Sequence, residues 1–387
     1  MKELYVFFSA NYFPHVGGVE RYTYSLTREL LKCGKHVLIV TSSMKGEPNY
    51  MVDDDGAEIY RMPSIYIVGD RMPLMLPSKV WKSLKSKISM YSMVRIVIQT
   101  MLYPISLWAV RFAHKNHYPY IVIVHGANYV CLGNDFLSLM EHRYEDYMLW
   151  KAKRNNSSFF CVSEAGSMWL KNAKISSRGV LYNSADYKAI DHICKEKPEY
   201  VRKECNIQKD TMVISFVGRL IVEKGIFQLV DACSQLISEG WNIKLLVVGD
   251  GPAMTELKMK NLNKMIYLGY CSHEETICIL RESDCFCLPS DAEGMPTAVL
   301  EAILCNNYII ASPYGGTAEI IISNEYGCIM NGNSTDDVYQ ALKNFLNHQE
   351  ECKIAANLCR KRLLTEGFTW ETTCKNLISY FEKTGEN

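Results

Sequence analysis

The chain has 387 residues, enough for two or three domains at roughly 150 residues each. With 48% apolar and 22% charged residues it has the composition of an ordinary globular protein rather than a disordered one. Forty-two basic residues balance forty-two acidic ones, which argues against a dedicated nucleic-acid binder, since those carry a basic excess.

The first element is a strand, Leu4 to Ser9. Its apolar run ends in a turn rather than a cleavage-type site, so it reads as a strand and not a signal peptide. A glycine-bearing loop, Asn11 to Gly18, leads into a helix from Val19 to Cys33 and a strand from His36 to Thr41, a unit typical of parallel sheets. Between Arg71 and Asn134 there is no Asp or Glu but there are eight Lys or Arg. Within 71–117, Lys79, Lys82, Lys85 and Lys87 alternate with Trp81, Leu84 and Ile88. This pattern fits an anionic membrane surface, and the alternative is two core-packing helices with solvated lysines. Strands follow at Tyr120–Val124, Phe159–Ser163 and Val180–Asn183. Polar residues 185–210 read as the domain boundary.

A second alternating series then begins. Strands are expected at Met212–Val217, Lys244–Val248, Met265–Leu268, Cys285–Leu288 and Tyr308–Ala311. The helices between them are Ile226–Glu239, Ala253–Leu262, His273–Glu282 and Thr297–Leu304. The fold class is therefore α/β, with two doubly wound Rossmann-like domains at 1–186 and 187–367 facing a central cleft where strand C-termini meet ligand. No window reaches 18 apolar residues without a charge. Fifteen cysteines form no CxxC pair and no cluster of zinc spacing, so they read as buried free thiols in a reducing cytosol.

Three segments carry chemistry. Asp291-Ala-Glu293-Gly294-Met295-Pro296-Thr297, running on to Glu301, joins a strand to a helix. Its helix-start N–H groups, Met295 to Val299, would face an anion, while Glu293 and Glu301 could meet one ligand at different depths. The bland alternative makes Glu293 a helix cap and Glu301 a solvated residue. In Gly218-Arg219-Leu-Ile-Val-Glu223-Lys224-Gly225, Arg219 and Lys224 flank a loop at a strand end, where two cations would neutralise a diphosphate; the alternative is a surface pair with Glu223. Neither a P-loop nor a dinucleotide fingerprint is present there. Gly17-Gly18, before the first helix, permits close backbone approach, and His125 ends a buried strand as a polar group for the same cleft.

Taken together, Gly17-Gly18-Val19-Glu20, Gly218-Arg219…Glu223-Lys224-Gly225, Val248-Gly249-Asp250-Gly251-Pro252, the Glu293–Glu301 pair, Gly315-Gly316-Thr-Ala-Glu319 and Phe368-Thr-Trp370 resemble the retaining, nucleotide-sugar-dependent glycosyltransferases of family 4 (glycosyl transferases group 1), which have the GT-B fold. The resemblance covers nearly the whole chain. It implies that Arg219 and Lys224 clamp the donor diphosphate, Glu293 stands beside the donor sugar and Glu301 binds the ribose. Gly218, Gly294, Met295, Pro296 and Thr297 would give backbone contacts, Gly17 and Gly18 would approach the phosphates, and His125 would touch the sugar. It also implies that a C-terminal helix at about 368–384 packs back onto the first domain. The chain departs from the family pattern at Asn306 and Tyr308, where Gly and Pro are usual, and at Ser184, where Gly is common.

The reaction expected is retaining transfer of a hexose from a nucleotide-diphosphate sugar, UDP by base rate, to a saccharide or lipid-linked acceptor in capsule, O-antigen or exopolysaccharide assembly. The enzyme would act in the cytoplasm, peripherally at the inner face of the membrane. No cofactor or metal is expected, because fixed cations stabilise the leaving diphosphate and Asp53-Asp54-Asp55 falls in a surface loop. Two rivals remain: a nucleotide-sugar or sugar-binding protein without transfer activity, and an NAD-dependent oxidoreductase, which would need a glycine fingerprint followed by an acidic residue.

Overall fold

The computed structural model describes residues 3–15, 17–67, 72–127, 135–154, 157–259 and 265–385. Val16, Arg71 and the expected helix end at Leu262 lie outside them. The chain divides into two units, Met1–Asn183 with Trp370–Asn387, and Ser184–Thr369.

The first unit is built on β1 (Glu3–Phe8), α1 (Gly18–Lys32), β2 (His36–Ser42), β3 (Tyr50–Val52), β4 (Glu58–Met62), β5 (Ser64–Ile67), β6 (Met72–Met75), α2 (Lys79–Ile88), β7 (Met93–Gln99), α3 (Pro104–Lys115), β8 (Tyr120–Val124), α4 (Asp135–Arg154), β9 (Ser158–Cys161), α5 (Glu164–Asn172) and β10 (Ser177–Val180). Eight strands form one sheet in the order β10-β9-β8-β7-β1-β2-β4-β3, parallel except for the edge pair β3–β4. The apolar runs of β1, β2 and β8 are buried along almost their whole length, as strands covered on both faces must be. The last strand lies at Ser177–Val180, a few residues before the position read from Val180–Asn183.

The described part of the basic stretch, residues 72–117, is built into the first unit. Its middle is β7, a central strand between β1 and β8, with Val94, Ile96, Val97 and Ile98 buried. Arg95 within it pairs with Glu3, which also takes Lys35, so the one charge in the strand is compensated. On α2, Leu84 and Ile88 are buried and Trp81 packs against Trp108 with ring centroids 3.7 Å apart. The apolar residues that suggested a membrane face therefore fill this unit's own core. Lys79, Lys82 and Lys85 remain exposed, while Lys87 pairs with Glu58 at 2.9 Å. Among the described residues, no helix is long and apolar enough to cross a membrane.

The second unit contains α6 (Tyr187–Glu196), α7 (Val201–Glu204), β11 (Met212–Val217), a single 3-10 turn (Val222–Lys224), α8 (Ile226–Ser238), β12 (Ile243–Val248), α9 (Met254–Met259), β13 (Met265–Gly269), α10 (His273–Arg281), β14 (Cys285–Leu288), α11 (Thr297–Leu304), β15 (Tyr308–Ala311), α12 (Thr317–Ile320), β16 (Cys328–Ile329), α13 (Thr335–Asn347) and α14 (Gln349–Thr365). Its six strands are all parallel, in the order β13-β12-β11-β14-β15-β16. The polar stretch 185–210 is not a bare linker. It forms α6 and α7, and the buried Glu282 carboxylate accepts the N–H groups of Tyr200, Val201 and Arg202 at 2.9–3.1 Å. That carboxylate satisfies donors that the start of α7 leaves orphaned.

α15 (Trp370–Gly385) belongs to the first unit. Phe381 meets Tyr5 edge-on at 5.9 Å, and the Thr373 hydroxyl donates to the Tyr182 carbonyl at 2.8 Å. The three departures from the family pattern are accommodated locally. Asn306 adopts φ +61°, a left-handed value that Asn tolerates. Tyr308 stacks on Phe345 with centroids 5.6 Å apart, and the Ser184 hydroxyl donates to the Phe368 carbonyl at 2.5 Å. Every described cysteine is free, and Cys285 and Cys287 are both fully buried.

Candidate active site

In the second sheet the strand order reverses between β11 and β14, which places a topological switch point at their C-terminal ends. Both loops singled out in the sequence leave from those ends. The Lys224 ammonium donates to Oε1 of Glu293, across 69 residues of sequence. The buried Ser290 hydroxyl donates to the same oxygen at 2.8 Å. One carboxylate thus gathers a cation and a hydroxyl, in a site where both charged side chains are largely shielded from water. Charge-assisted bonds of this kind are about twice as strong as neutral ones.

Backbone bonds join the loops. Asp291 N–H donates to the Glu223 carbonyl at 2.9 Å, Leu220 N–H to Asp250 at 2.9 Å, and Gly316 N–H to Gly294 at 2.7 Å. Two glycines permit this. Gly225 has φ +68°, and a Cβ there would sit 2.0 Å from the Pro289 carbonyl oxygen. Gly315 has φ +129°, and a Cβ would sit 2.5 Å from the Glu293 carbonyl oxygen. No side chain fits at either position. Lys224 and Glu293 are therefore held by the close approach of bare backbone.

Arg219 follows Gly218 at the end of β11 and is exposed, and among the described residues its guanidinium has no ion-pair partner. Met295 and Pro296 are buried, and Pro296 caps α11. Gly294 and Thr297 are partly buried. One of the helix-start N–H groups expected between Met295 and Val299 is taken within the chain. The Val299 N–H donates to the Pro296 carbonyl at 3.1 Å, because the first turn of α11 closes in 3-10 fashion. Glu293 does not cap the helix, since no side-chain cap bond exists there.

Glu301 lies in the second turn of α11. It is buried rather than solvated, with His273 Nε2 3.1 Å from its Oε1. Ser290 and His273 were missed in the sequence. Ser290 lies three residues before Glu293 with nothing in the pattern to mark it. His273 is the first residue of α10, distant in sequence from the carboxylate it meets.

In the first unit the order reverses at β1, between β2 and β7. Gly17 is the N-cap of α1 and Gly18 its first residue. The Glu20 carboxylate folds back towards Gly17, where a Cβ would meet Oε2 at 2.4 Å, and it also takes His15 Nδ1 at 3.3 Å. That hydrogen bond raises the His15 pKa above the usual imidazole value. His125 follows β8. Its Nε2 lies 2.6 Å from Gln99 Oε1, and its ring meets the edge of Tyr22 at 4.7 Å. Burial pushes its pKa down to about 3, so the imidazole is neutral at ordinary pH.

Asp53, Asp54 and Asp55 lie between β3 and β4, where Arg28 pairs with Asp53 at 3.0 Å and with Asp55 at 2.5 Å. Among the described residues no group of three or more His, Cys, Asp or Glu is placed to hold a metal ion.

Two family profiles match the chain in tandem. That of "Glycosyltransferase Family 4" covers residues 16–186 and that of "Glycosyl transferases group 1" covers residues 198–362. The chain is a family 4 glycosyltransferase with the GT-B fold. It is 22% identical to an uncharacterised glycosyltransferase of Methanocaldococcus jannaschii, over 98% of both chains. Its fold is similar to that of sucrose-phosphate synthase from Thermosynechococcus elongatus, with TM-score 0.78 and 17% identity over 99% of both chains. It is also similar to Anabaena HepE in complex with UDP-glucose, with TM-score 0.73 and 15% identity over 98% of this chain and 99% of that one. At these identities the solved structures show a shared fold with this glycosyltransferase.

Proposed function

We propose that this glycosyltransferase moves a hexose from a UDP-sugar to a saccharide or lipid-linked acceptor, with retention of anomeric configuration and without a metal. The observation that carries this reading is the Lys224–Glu293 contact at the β11–β14 switch point, with Arg219 exposed on the adjoining loop. A diphosphate entering there meets two cations. As the bond from the anomeric carbon to the β-phosphate oxygen breaks, its electron pair goes to the diphosphate, and Arg219 and Lys224 stabilise that charge. The acceptor oxygen forms the new bond to the anomeric carbon and its proton leaves with the diphosphate. Glu293, freed from Lys224, faces the positive charge developing on the sugar.

A neutral His125 suits contact with sugar hydroxyls, Glu301 suits the ribose diol, and Gly17, Gly18, Gly218, Gly294, Met295, Pro296 and Thr297 supply close backbone. That HepE was solved with UDP-glucose supports UDP as the donor base. For the acceptor, the exposed Lys79, Lys82 and Lys85 on α2 favour work beside anionic lipid, at the cytoplasmic face during cell-surface polysaccharide assembly.

The test is release of UDP from UDP-glucose and UDP-N-acetylglucosamine in the presence of lipid extract, with the anomeric configuration of the product read by NMR. Product of the donor's own configuration is expected, and inverted product would overturn the retaining mechanism. Replacing Lys79, Lys82 and Lys85 with Glu should abolish sedimentation with vesicles of phosphatidylglycerol, and unchanged sedimentation would remove the lipid surface from the account.

A further inference from the structure

Gln99 is the last residue of β7, and it pairs in register with Ile123 of the neighbouring β8. His125 stands two residues beyond Ile123, so the period of two puts Gln99 and His125 on the same face of the sheet. The two side chains meet at 2.6 Å, Oε1 to Nε2. Gln99 is 1% exposed, and its amide nitrogen is buried with no partner among the described residues, so the amide acts through its carbonyl. On another side the imidazole is held by the edge of Tyr22, whose own hydroxyl donates to the Leu181 carbonyl at 2.9 Å. With the Gln99 carbonyl turned to the ring, as in this structure, Nε2 is the atom that donates and Nδ1 the one left with the lone pair.

We propose that Gln99 is a positioning residue: it locks His125 as the Nε2–H tautomer so that Nδ1 accepts a hydrogen bond from a hydroxyl of the transferred sugar. The inference rests on the reading of His125 as a sugar contact. A ring free to exchange tautomers would offer the wrong partner, a donor, for part of the time. Burial supports the same role, because it keeps the ring neutral and no charged group contributes to the shift. Tyr22 from α1 and Gln99 from β7 both meet the ring, and neither is charged.

The test is long-range proton–nitrogen NMR of protein labelled at histidine, with the His125 signals assigned by their loss in His125→Asn. The wild type should show protonated Nε2 and bare Nδ1, unchanged from pH 5.5 to 8.5. Gln99→Met should mix the tautomers and lower kcat/KM by about tenfold, the worth of one hydrogen bond, with UDP affinity unchanged. Gln99→Glu keeps an acceptor at Nε2 but adds a charge. It should restore the single tautomer at high pH, raise the His125 pKa and give activity an acidic limb that the wild type lacks.

A wild-type ring protonated at Nδ1, or a Gln99→Met protein with one tautomer and normal kcat/KM, would overturn the proposal. UDP-glucose should move the Nδ1 signal and UDP alone should not. A locked ring whose Nδ1 ignores UDP-glucose would instead defeat the reading of His125 as a sugar contact, and with it the purpose given to Gln99.

Discussion

Two strand-end contacts of this glycosyltransferase, one in each unit, are built from opposite chemistry. At β11–β14 the contact is ionic: Lys224 on Glu293, with the exposed Arg219 close by in sequence. Beyond β7 and β8 it is neutral: a half-buried imidazole on a buried amide. Fixed charges suit a group that carries charge through the reaction, as a diphosphate does. Neutral, oriented hydrogen bonds suit hydroxyls, which must be ranked by geometry rather than attracted by charge. One sheet topology, used twice, thus offers sites for two kinds of ligand group.

The strongest way to break this contrast is Glu293→Gln. Loss of the carboxylate should lower kcat by roughly a thousandfold, the scale of removing one preorganised transition-state group, with the melting temperature little changed. Turnover near wild type would make the pair structural. Next, Arg219→Ala combined with Lys224→Ala should weaken binding of UDP by about a hundredfold or more, from about 1.5–3 kcal/mol for each charged hydrogen bond, as read by calorimetry. The same pair of changes should leave the tautomer of His125 untouched.

Gly315→Ala tests whether close backbone approach holds Glu293. It should cost about 1–3 kcal/mol of stability, seen in denaturant unfolding, because the new methyl meets the Glu293 carbonyl at a strained φ. The smallest effect concerns His125. Its pKa is near 3 in the folded protein against about 6.5 unfolded, so between those values the unfolded chain binds more protons. Its contribution to stability is therefore complete above about pH 6.5 and is lost as pH falls towards 3. His125→Asn should flatten the fall in melting temperature across that window, and an unchanged slope would contradict a ring held neutral in the folded protein.

Much of this was legible in the sequence, for identifiable reasons. Strands such as Met212–Val217 and Cys285–Leu288 are short, apolar and bounded by turn residues, and their positions agree with the fold. Arg219, Lys224 and Glu293 could be marked because each lies beside glycine in a loop that follows a strand, and Glu301 because it lies eight residues beyond Glu293 in the helix that the same loop begins. β7 was not legible, because Arg95 interrupts its apolar run and only the distant Glu3 makes that charge acceptable. Trp81, Leu84 and Ile88 among lysines look the same whether they face a core or a lipid surface, and only the folded chain shows these three packed inward. Gln99, Ser290 and His273 were invisible for a simpler reason. Each acts through a partner that only the folded chain brings near.

The most direct measurement is thermal unfolding with UDP, GDP, ADP, CMP and NAD, in the wild type and in the Arg219→Ala, Lys224→Ala double variant. A ligand at about 100 times its dissociation constant adds roughly 2.7 kcal/mol, enough to move the midpoint by a few degrees. The account predicts that UDP alone stabilises the wild type and that the double variant loses the shift. Stabilisation by NAD alone, or a UDP shift that survives in the double variant, would contradict it.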